Sequence, residues 1–154
     1  MFKNYGNYDP NRKTFNPEWL DQIDKRDKSL IDRAFEALKN SYSPYSNFRV
    51  GACVETKNNK YFIGTNVENA SYGLTNCAER NAIFSAYSNG YRKKDIRAIA
   101  IVSEDKKLTT PCGACRQVLS ELLEPTCPII LTNGREVLVT DILHLLPLGF
   151  SLDV

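Results

Sequence analysis

Three cysteines and one glutamate have the types and spacing needed for hydrolytic chemistry at a metal ion. Cys77 precedes Glu79 by two positions, and Cys112 and Cys115 form a Cys-x-x-Cys pair directly after Pro111. Zinc binds thiolates readily, and a catalytic zinc typically keeps three protein ligands and leaves the fourth position to water. Glu79 is too close to Cys77 in sequence to be an easy fourth ligand, but it can reach a water molecule on the metal. We therefore predict one catalytic zinc ion per chain, held by the three thiols, with Glu79 as the acid/base group.

The residue after this glutamate bears on the charge of the predicted site. Three thiolates on Zn²⁺ leave a formal charge of −1, which weakens the acidification of a bound water. Arg80 can donate to the sulfurs from outside the ligand set and offset that charge. A structural zinc module that binds a partner without chemistry is an alternative. Only Glu79 distinguishes the two, because an inert site has no need of that carboxylate.

Composition limits the classes of protein to which the chain can belong. The 154 residues are enough for one domain, and 20 Lys and Arg stand against 18 Asp and Glu. No strong basic field points to nucleic acid or to an anionic membrane, and no apolar stretch approaches the ~20 residues of a membrane span. Five cysteines, three of them in a metal-like spacing, favour a reducing compartment, so we expect a cytoplasmic protein. Residues 1–16 are predicted to be a loose or extended arm, and residues 17–154 a single catalytic domain.

The elements that must position these residues alternate between helices and strands. A helix is predicted to open at residues 16–18, to be interrupted at residues 24–29, and to resume as far as about Asn40. Further helices are predicted at 78–88, 113–123 and 141–145, and strands at 48–56, 60–66, 96–102, 128–132 and 136–139. This order indicates an α/β fold, a three-layer α/β/α domain around a five-stranded mixed sheet. Cys77 and Cys112 then fall at helix N-termini, where backbone N–H groups and the helix dipole favour thiolates.

Four segments, residues 44–52, 66–72, 77–80 and 111–117, resemble the small homotetrameric cytidine deaminases, a family of zinc-dependent deaminases. Leu145, Leu146, Pro147 and Phe150 resemble the end of that family's domain, and the likeness covers about residues 28–150. The resemblance implies hydrolytic deamination of cytidine and 2′-deoxycytidine to uridine and 2′-deoxyuridine, with release of ammonia. It implies attack at C4 by zinc-activated hydroxide, and a role in pyrimidine salvage.

The resemblance also implies roles at the base end of the substrate. Glu79 would take a proton from the zinc-bound water, pass it to N3 of cytosine and help protonate the departing ammonia. The backbone N–H of Ala78 would bind the base O2, and Phe48 would pack on the pyrimidine. In an alternating strand, however, a phenylalanine such as Phe48 is also a common core residue.

Other roles concern the sugar and the assembly. Asn66 and Glu68 match family residues that hydrogen-bond the ribose 3′-OH, although from the bare sequence an Asn-x-Glu at the end of a strand also fits a solvated turn. Tyr72 would line the site or a subunit contact. Phe150 matches an aromatic that closes over the pyrimidine of an adjacent subunit. The resemblance therefore implies a homotetramer with shared active sites, acting on a small nucleoside and not on nucleic acid or membranes.

Two other deaminase activities are alternatives to nucleoside deamination, and three further residues have side chains that could bind a metal. A polynucleotide deaminase would need a basic groove and extra length for flanking nucleotides. Aminonucleoside-antibiotic deaminases share the zinc motif but would not be expected to carry residues 66–72 in this form. His144, Cys53 and Cys127 are interpreted as packing residues rather than ligands.

Overall fold

A five-stranded mixed sheet separates two helical layers. The computed structural model describes residues 23–152. Its strands are β1 (Val50–Thr56), β2 (Tyr61–Thr65), β3 (Ile96–Ser103), β4 (Ile129–Thr132) and β5 (Val137–Thr140), in the order β2-β1-β3-β4-β5. β3 and β4 are parallel, and all other neighbouring strands are antiparallel. The predicted fold class and the five strands are confirmed.

Each face of the sheet packs against its own helices. Helix α1 (Lys25–Leu38) covers one face, and α2 (Ala78–Ser88) and α3 (Gly113–Leu122) cover the other, while the short α4 (Ile142–Leu145) follows β5. Along β3 the residues alternate between these layers, with Ala98 and Ala100 facing α1 and Ile99 and Ile101 facing α2 and α3. A central strand buried on both faces is nearly continuously apolar, as the sequence of β3 predicts.

The beginning of the first helix differs from the prediction. The expected arm and helix start lie outside the described residues. Within the described part, α1 begins at Lys25, and the carboxylate of Asp24 accepts the backbone N–H of Arg26 at 2.8 Å. The polar stretch that the sequence suggests as an interruption is therefore the N-cap and first turn of α1. At 14 residues α1 is the longest helix of residues 23–152, and no helix there could cross a membrane.

Two glycines let the helices rest directly on the sheet. A Cβ on Gly51 would lie 2.1 Å from the Ala34 carbonyl oxygen of α1. A Cβ on Gly64 would lie 2.3 Å from the Ala78 carbonyl oxygen and 2.4 Å from the Ala82 nitrogen of α2. No other residue fits at either contact. Gly64 therefore sets how closely the first turn of α2, which carries the predicted acid/base group, approaches β2.

Candidate active site

The three predicted ligands meet where the connections from β2 and β3 enter α2 and α3. Cys77 is the N-cap residue of α2, Cys112 is the N-cap residue of α3, and Cys115 lies in the first turn of α3. Neither N-cap sulfur caps its own helix. The Cys77 and Cys112 sulfurs are 3.9 Å apart, those of Cys112 and Cys115 are 3.6 Å apart, and all three lie within 4.8 Å of one another. The distant parts of the motif thus converge on one point.

These distances suit zinc. Two thiolates bound tetrahedrally at ~2.3 Å from one zinc ion lie about 3.8 Å apart. The distances from the Cys112 sulfur to those of Cys77 and Cys115 differ from that value by no more than 0.2 Å. Among residues 23–152, no histidine or carboxylate joins this group of ligand atoms. The described part of the chain therefore offers three ligand atoms at this point, the number typical of a catalytic zinc centre, whereas a structural one typically has four.

The predicted outer partner, Arg80, contacts the thiols. Its Nη2 donates to the Cys77 sulfur at 3.3 Å. A hydrogen bond from Cys115, together with this one from Arg80, lowers the pKa of Cys77 to about 5 against the opposing effect of burial. Burial alone would lower the pKa of Arg80, but its hydrogen bonds to Cys77 and Cys115 outweigh that effect and raise it. The guanidinium thus stays charged and stabilises the thiolate form that binds a metal.

Glu79 lies in the first turn of α2 and is 5% exposed. Burial raises the pKa of its carboxyl group, and the neighbouring Cys77 thiolate raises it further. A raised pKa lets a carboxyl group hold a proton closer to neutral pH, which general acid/base work requires. The N–H of Ala78, also buried, is among the first four of α2, which have no acceptor within the helix.

Asn66 holds the backbone around Phe48. Its side-chain Oδ1 accepts the Val50 N–H at 3.0 Å and the Ser41 hydroxyl, and its Nδ2 donates to the Phe48 carbonyl at 2.7 Å. The amide is therefore fixed in one orientation, with its oxygen directed at the chain itself. It has one further N–H to offer, since a side-chain amide nitrogen carries two.

Glu68 holds the preceding turn. Its carboxylate accepts the Tyr45 N–H at 2.9 Å, the Ser46 N–H at 3.1 Å and the Ser46 hydroxyl. The Ser46 hydroxyl is the largest cause of the lowered pKa of Glu68. The sequence does not predict these contacts, because Ser46 carries no pattern beyond its place in residues 44–52. The two predicted sugar-binding residues are thus also the ones that shape the loop carrying Phe48.

Phe48 is partly buried against the core on the α2 and α3 side. With Asn47, Arg49, Glu104 and Asp105 it lines a cavity of about 290 Å³. The Arg49 guanidinium pairs with the Glu104 carboxylate across this cavity. Phe48 therefore packs on the core and also faces open space, and its contact with the pyrimidine stays a prediction.

Two predicted site residues lie on the surface of the protomer. Tyr72, in a 3₁₀ turn, is 73% exposed, and Phe150, after α4, is 68% exposed. The Phe150 carbonyl accepts a hydrogen bond from Gln117 Nε2 at 3.1 Å, which ties this tail to α3. Neither aromatic ring is buried within its own chain.

The residues assigned to packing divide into two groups. Cys53 and Cys127 are buried, and burial raises the pKa of each to about 12. His144 is hydrogen-bonded, as expected of a satisfied histidine, but it is not buried as the packing interpretation expects. Its side chain is 45% exposed, and its Nδ1 lies 2.6 Å from the carboxylate of Asp141, the N-cap residue of α4.

Comparisons with known proteins agree with this geometry. The family profile described as "Cytidine and deoxycytidylate deaminase zinc-binding region" matches residues 24–130. The chain is 46% identical over 123 residues to a cytidine deaminase of Halalkalibacterium halodurans, covering 79% of this chain and 92% of that protein. It is 30% identical over 145 residues to a blasticidin-S deaminase of Bacillus cereus, covering 90% of this chain and 98% of that protein.

Solved structures give the same match. The crystal structure of cytidine deaminase from Burkholderia pseudomallei superposes with a TM-score of 0.78 at 50% identity, covering 83% of this chain and 100% of that one. That of cytidine deaminase from Mycobacterium tuberculosis gives 0.71 at 36% identity, covering 84% and 100%. Both likenesses are supported by sequence as well as by fold.

Proposed function

The chain belongs to the cytidine deaminase family and is a zinc-dependent hydrolytic deaminase, and we propose that it converts cytidine and 2′-deoxycytidine to uridine and 2′-deoxyuridine. One water is consumed and one ammonia released, because the C4–N bond breaks and a C4–O bond forms. The observation that carries the proposal is the buried Glu79 beside three thiols at zinc spacing.

The acid/base work falls to Glu79. Zinc on the three thiolates would acidify a water molecule and stabilise negative charge that develops beside it. Glu79 takes the proton of the attacking water and delivers it to N3 of the base, which makes C4 more electrophilic. It then helps to protonate the departing amino group. One carboxyl group can serve these steps because burial raises its pKa toward neutrality.

The substrate would be held at both ends. The Ala78 N–H binds the base O2, and Phe48 packs on the pyrimidine. Asn66 has a second Nδ2–H to donate, since the first goes to the Phe48 carbonyl, and Glu68 is an acceptor. Such a pair fits one hydroxyl that both accepts and donates, the ribose 3′-OH. Nothing recognisable in this set reads the 2′ position, so ribo- and deoxyribonucleosides should both be accepted.

We also propose a homotetramer in which Phe150 of one subunit completes the pocket of another. This is supported by the apolar side chains that the protomer leaves exposed, among them Tyr72, Leu74, Leu143, Leu148, Phe150 and Leu152. Side chains of this kind are typical of surfaces that another chain covers when they form one contiguous patch. Five cysteines without a disulfide among those described suit a cytoplasmic location, where pyrimidine salvage takes place.

The proposed reaction is tested by the loss of cytidine absorbance with purified protein. Chelation should stop the reaction, and added zinc should restore it. Deoxycytidine should be accepted, whereas free cytosine should be a very poor substrate because the remote sugar contacts place C4 for attack. Deoxycytidylate and blasticidin S, named in the descriptions of the related family and protein, are the informative comparisons. If the protein deaminated deoxycytidylate or blasticidin S but neither cytidine nor deoxycytidine, the nucleoside assignment would be overturned.

Sharing of the pocket is tested by complementation. Glu79→Ala and Phe150→Ala chains should each make poor enzymes. Mixed oligomers formed by co-expression would contain sites with an intact Glu79 and an intact Phe150, so their activity should exceed that of both parents. A fully active monomer, or mixtures no better than the Phe150→Ala parent, would contradict sharing.

A further inference from the structure

The Ser46 hydroxyl lies between a carboxylate and a backbone amide. It donates to Glu68 Oε1 and accepts the Phe48 N–H at 3.0 Å. A hydroxyl has a single proton to donate, so these two contacts fix its orientation. Ser46 thus directly connects the residue proposed for the sugar with the residue proposed for the base.

The backbone between these contacts needs such support. Asn47 has a φ of +53°, in the left-handed region that residues with a Cβ adopt at a cost. The hydrogen bond from the Phe48 N–H to Ser46 Oγ spans Asn47, and the Asn47 N–H donates to the Ser43 carbonyl at 3.0 Å. The chain reverses here immediately before Phe48, so the hydroxyl helps to set where the ring emerges.

The same hydroxyl determines what Glu68 can offer. Oε2 accepts two backbone N–H groups, from Tyr45 and Ser46, whereas Oε1 accepts the Ser46 hydroxyl. A carboxylate oxygen has about two acceptor positions. Oε1 therefore keeps one position for a ligand, in a direction that Ser46 fixes.

We propose that Ser46 is a positioning residue that couples recognition of the sugar hydroxyl to the placement of Phe48 against the base. The inference rests on the proposed nucleoside deaminase function and names the residue through which the two ends of the pocket act together. Ser46 does not touch the reacting atoms. Its effect passes through Glu68 on one side and through the Phe48 backbone on the other.

The test compares Ser46→Ala with the parent on cytidine and on 3′-deoxycytidine. On cytidine the variant should raise KM roughly tenfold, the typical effect of losing a hydrogen bond to a charged group, with a smaller change in kcat. On 3′-deoxycytidine, which lacks the hydroxyl that Glu68 would bind, the increase should be several-fold smaller. A loop that is merely destabilised would penalise both substrates equally, and that result would overturn the proposal.

Matched variants sharpen the comparison. Ser43→Ala removes a hydroxyl from the same loop whose described side-chain contact is the Ser41 hydroxyl, and it should leave the ratio between the two substrates unchanged. Ser46→Thr keeps the hydroxyl, so its KM for cytidine should be close to that of the parent. If Ser46→Ala does not fold, Ser46→Cys, a much weaker donor, replaces it. Inactivity of the parent on cytidine would defeat the proposed function, whereas an active parent with an unaffected Ser46→Ala would defeat only this inference.

Discussion

Each end of the sheet has a buried carboxyl group, but the two groups have different neighbours. At the amino end of β3, the fully buried Glu55 accepts hydrogen bonds from Arg26 and Arg97, and Arg97 also donates to Asp27 at 2.8 Å. Near the carboxyl end, Glu79 is buried beside thiols, and Arg80 donates to sulfur. Among the salt bridges of residues 23–152, none includes Glu79.

This difference separates a structural charge from a reactive one. Breaking a buried ion pair is costly because one charge is left uncompensated, so the Glu55 cluster ties α1 to β1 and β3. Burial raises the pKa of Glu79, which has no such partner within residues 23–152, so this carboxyl group keeps its proton to a higher pH than an ordinary one does. Arg26 and Arg97 pair with Glu55 at one end, whereas Arg80 donates to sulfur at the other. Glu79 is therefore not held in an ion pair among the described residues.

The largest effect should come from Glu79→Gln. We expect kcat to fall by at least about 10³-fold, since the acid/base group is lost, while zinc content stays at one per chain. Burial raises the pKa of Glu79, so ionising it costs the folded protein stability as the pH rises above the ordinary range of a carboxyl group. Gln cannot ionise, and metal-free Glu79→Gln should therefore be at least as stable as the metal-free parent at pH 7.

Elemental analysis beside steady-state rates and thermal melts gives these quantities. Loss of zinc together with activity would mean that Glu79 is a ligand. Glu79 would then have a structural role, as Glu55 does.

At the opposite end of the sheet, Glu55→Gln should lower stability and leave the activity of the folded protein almost unchanged. We expect a loss of about 3 kcal/mol in the free energy of unfolding, because Arg97 and Arg26 lose a charged partner, and a nearly unchanged kcat for the folded protein. Denaturant titration and kinetics measure the two quantities. A fall in kcat without a loss of stability would contradict a purely structural role.

The smallest of these effects concerns Arg80. Arg80→Ala should weaken zinc retention by roughly 10–100-fold and shift the pH–rate profile upward, because the charge that offsets the thiolates is gone. Competition with a chelator and a pH profile of kcat test this, with Arg80→Lys as the variant that keeps the charge. Unchanged zinc affinity and an unchanged profile would exclude Arg80 from the chemistry.

The positions of residues 77–80 could be predicted because these residues are close together in sequence. The ion pairs of Glu55 could not be predicted, because their partners are far apart in sequence. Cys77, Glu79 and Arg80 are neighbours in sequence, so one helix start places all three. Alternating patterns, hairpin signals and short apolar runs located the five strands of residues 23–152. The Glu55 cluster joins residues up to 70 positions apart, and a glutamate in a strand looks like any solvent-facing residue. The serine contacts around Asn66 and Glu68 depend on a loop conformation that no periodic pattern encodes.

The direct seating of α2 on Gly64 has a consequence for how this pocket can evolve. Where side chains separate a helix from a sheet, successive substitutions can move the helix in small steps. At Gly64 the contact is between backbone atoms, so any larger residue would displace the first turn of α2 as a unit. Adaptation to a bulkier substrate should therefore proceed through the loops around residues 41–50 and 104–111, while the distance between this helix and the sheet stays unchanged.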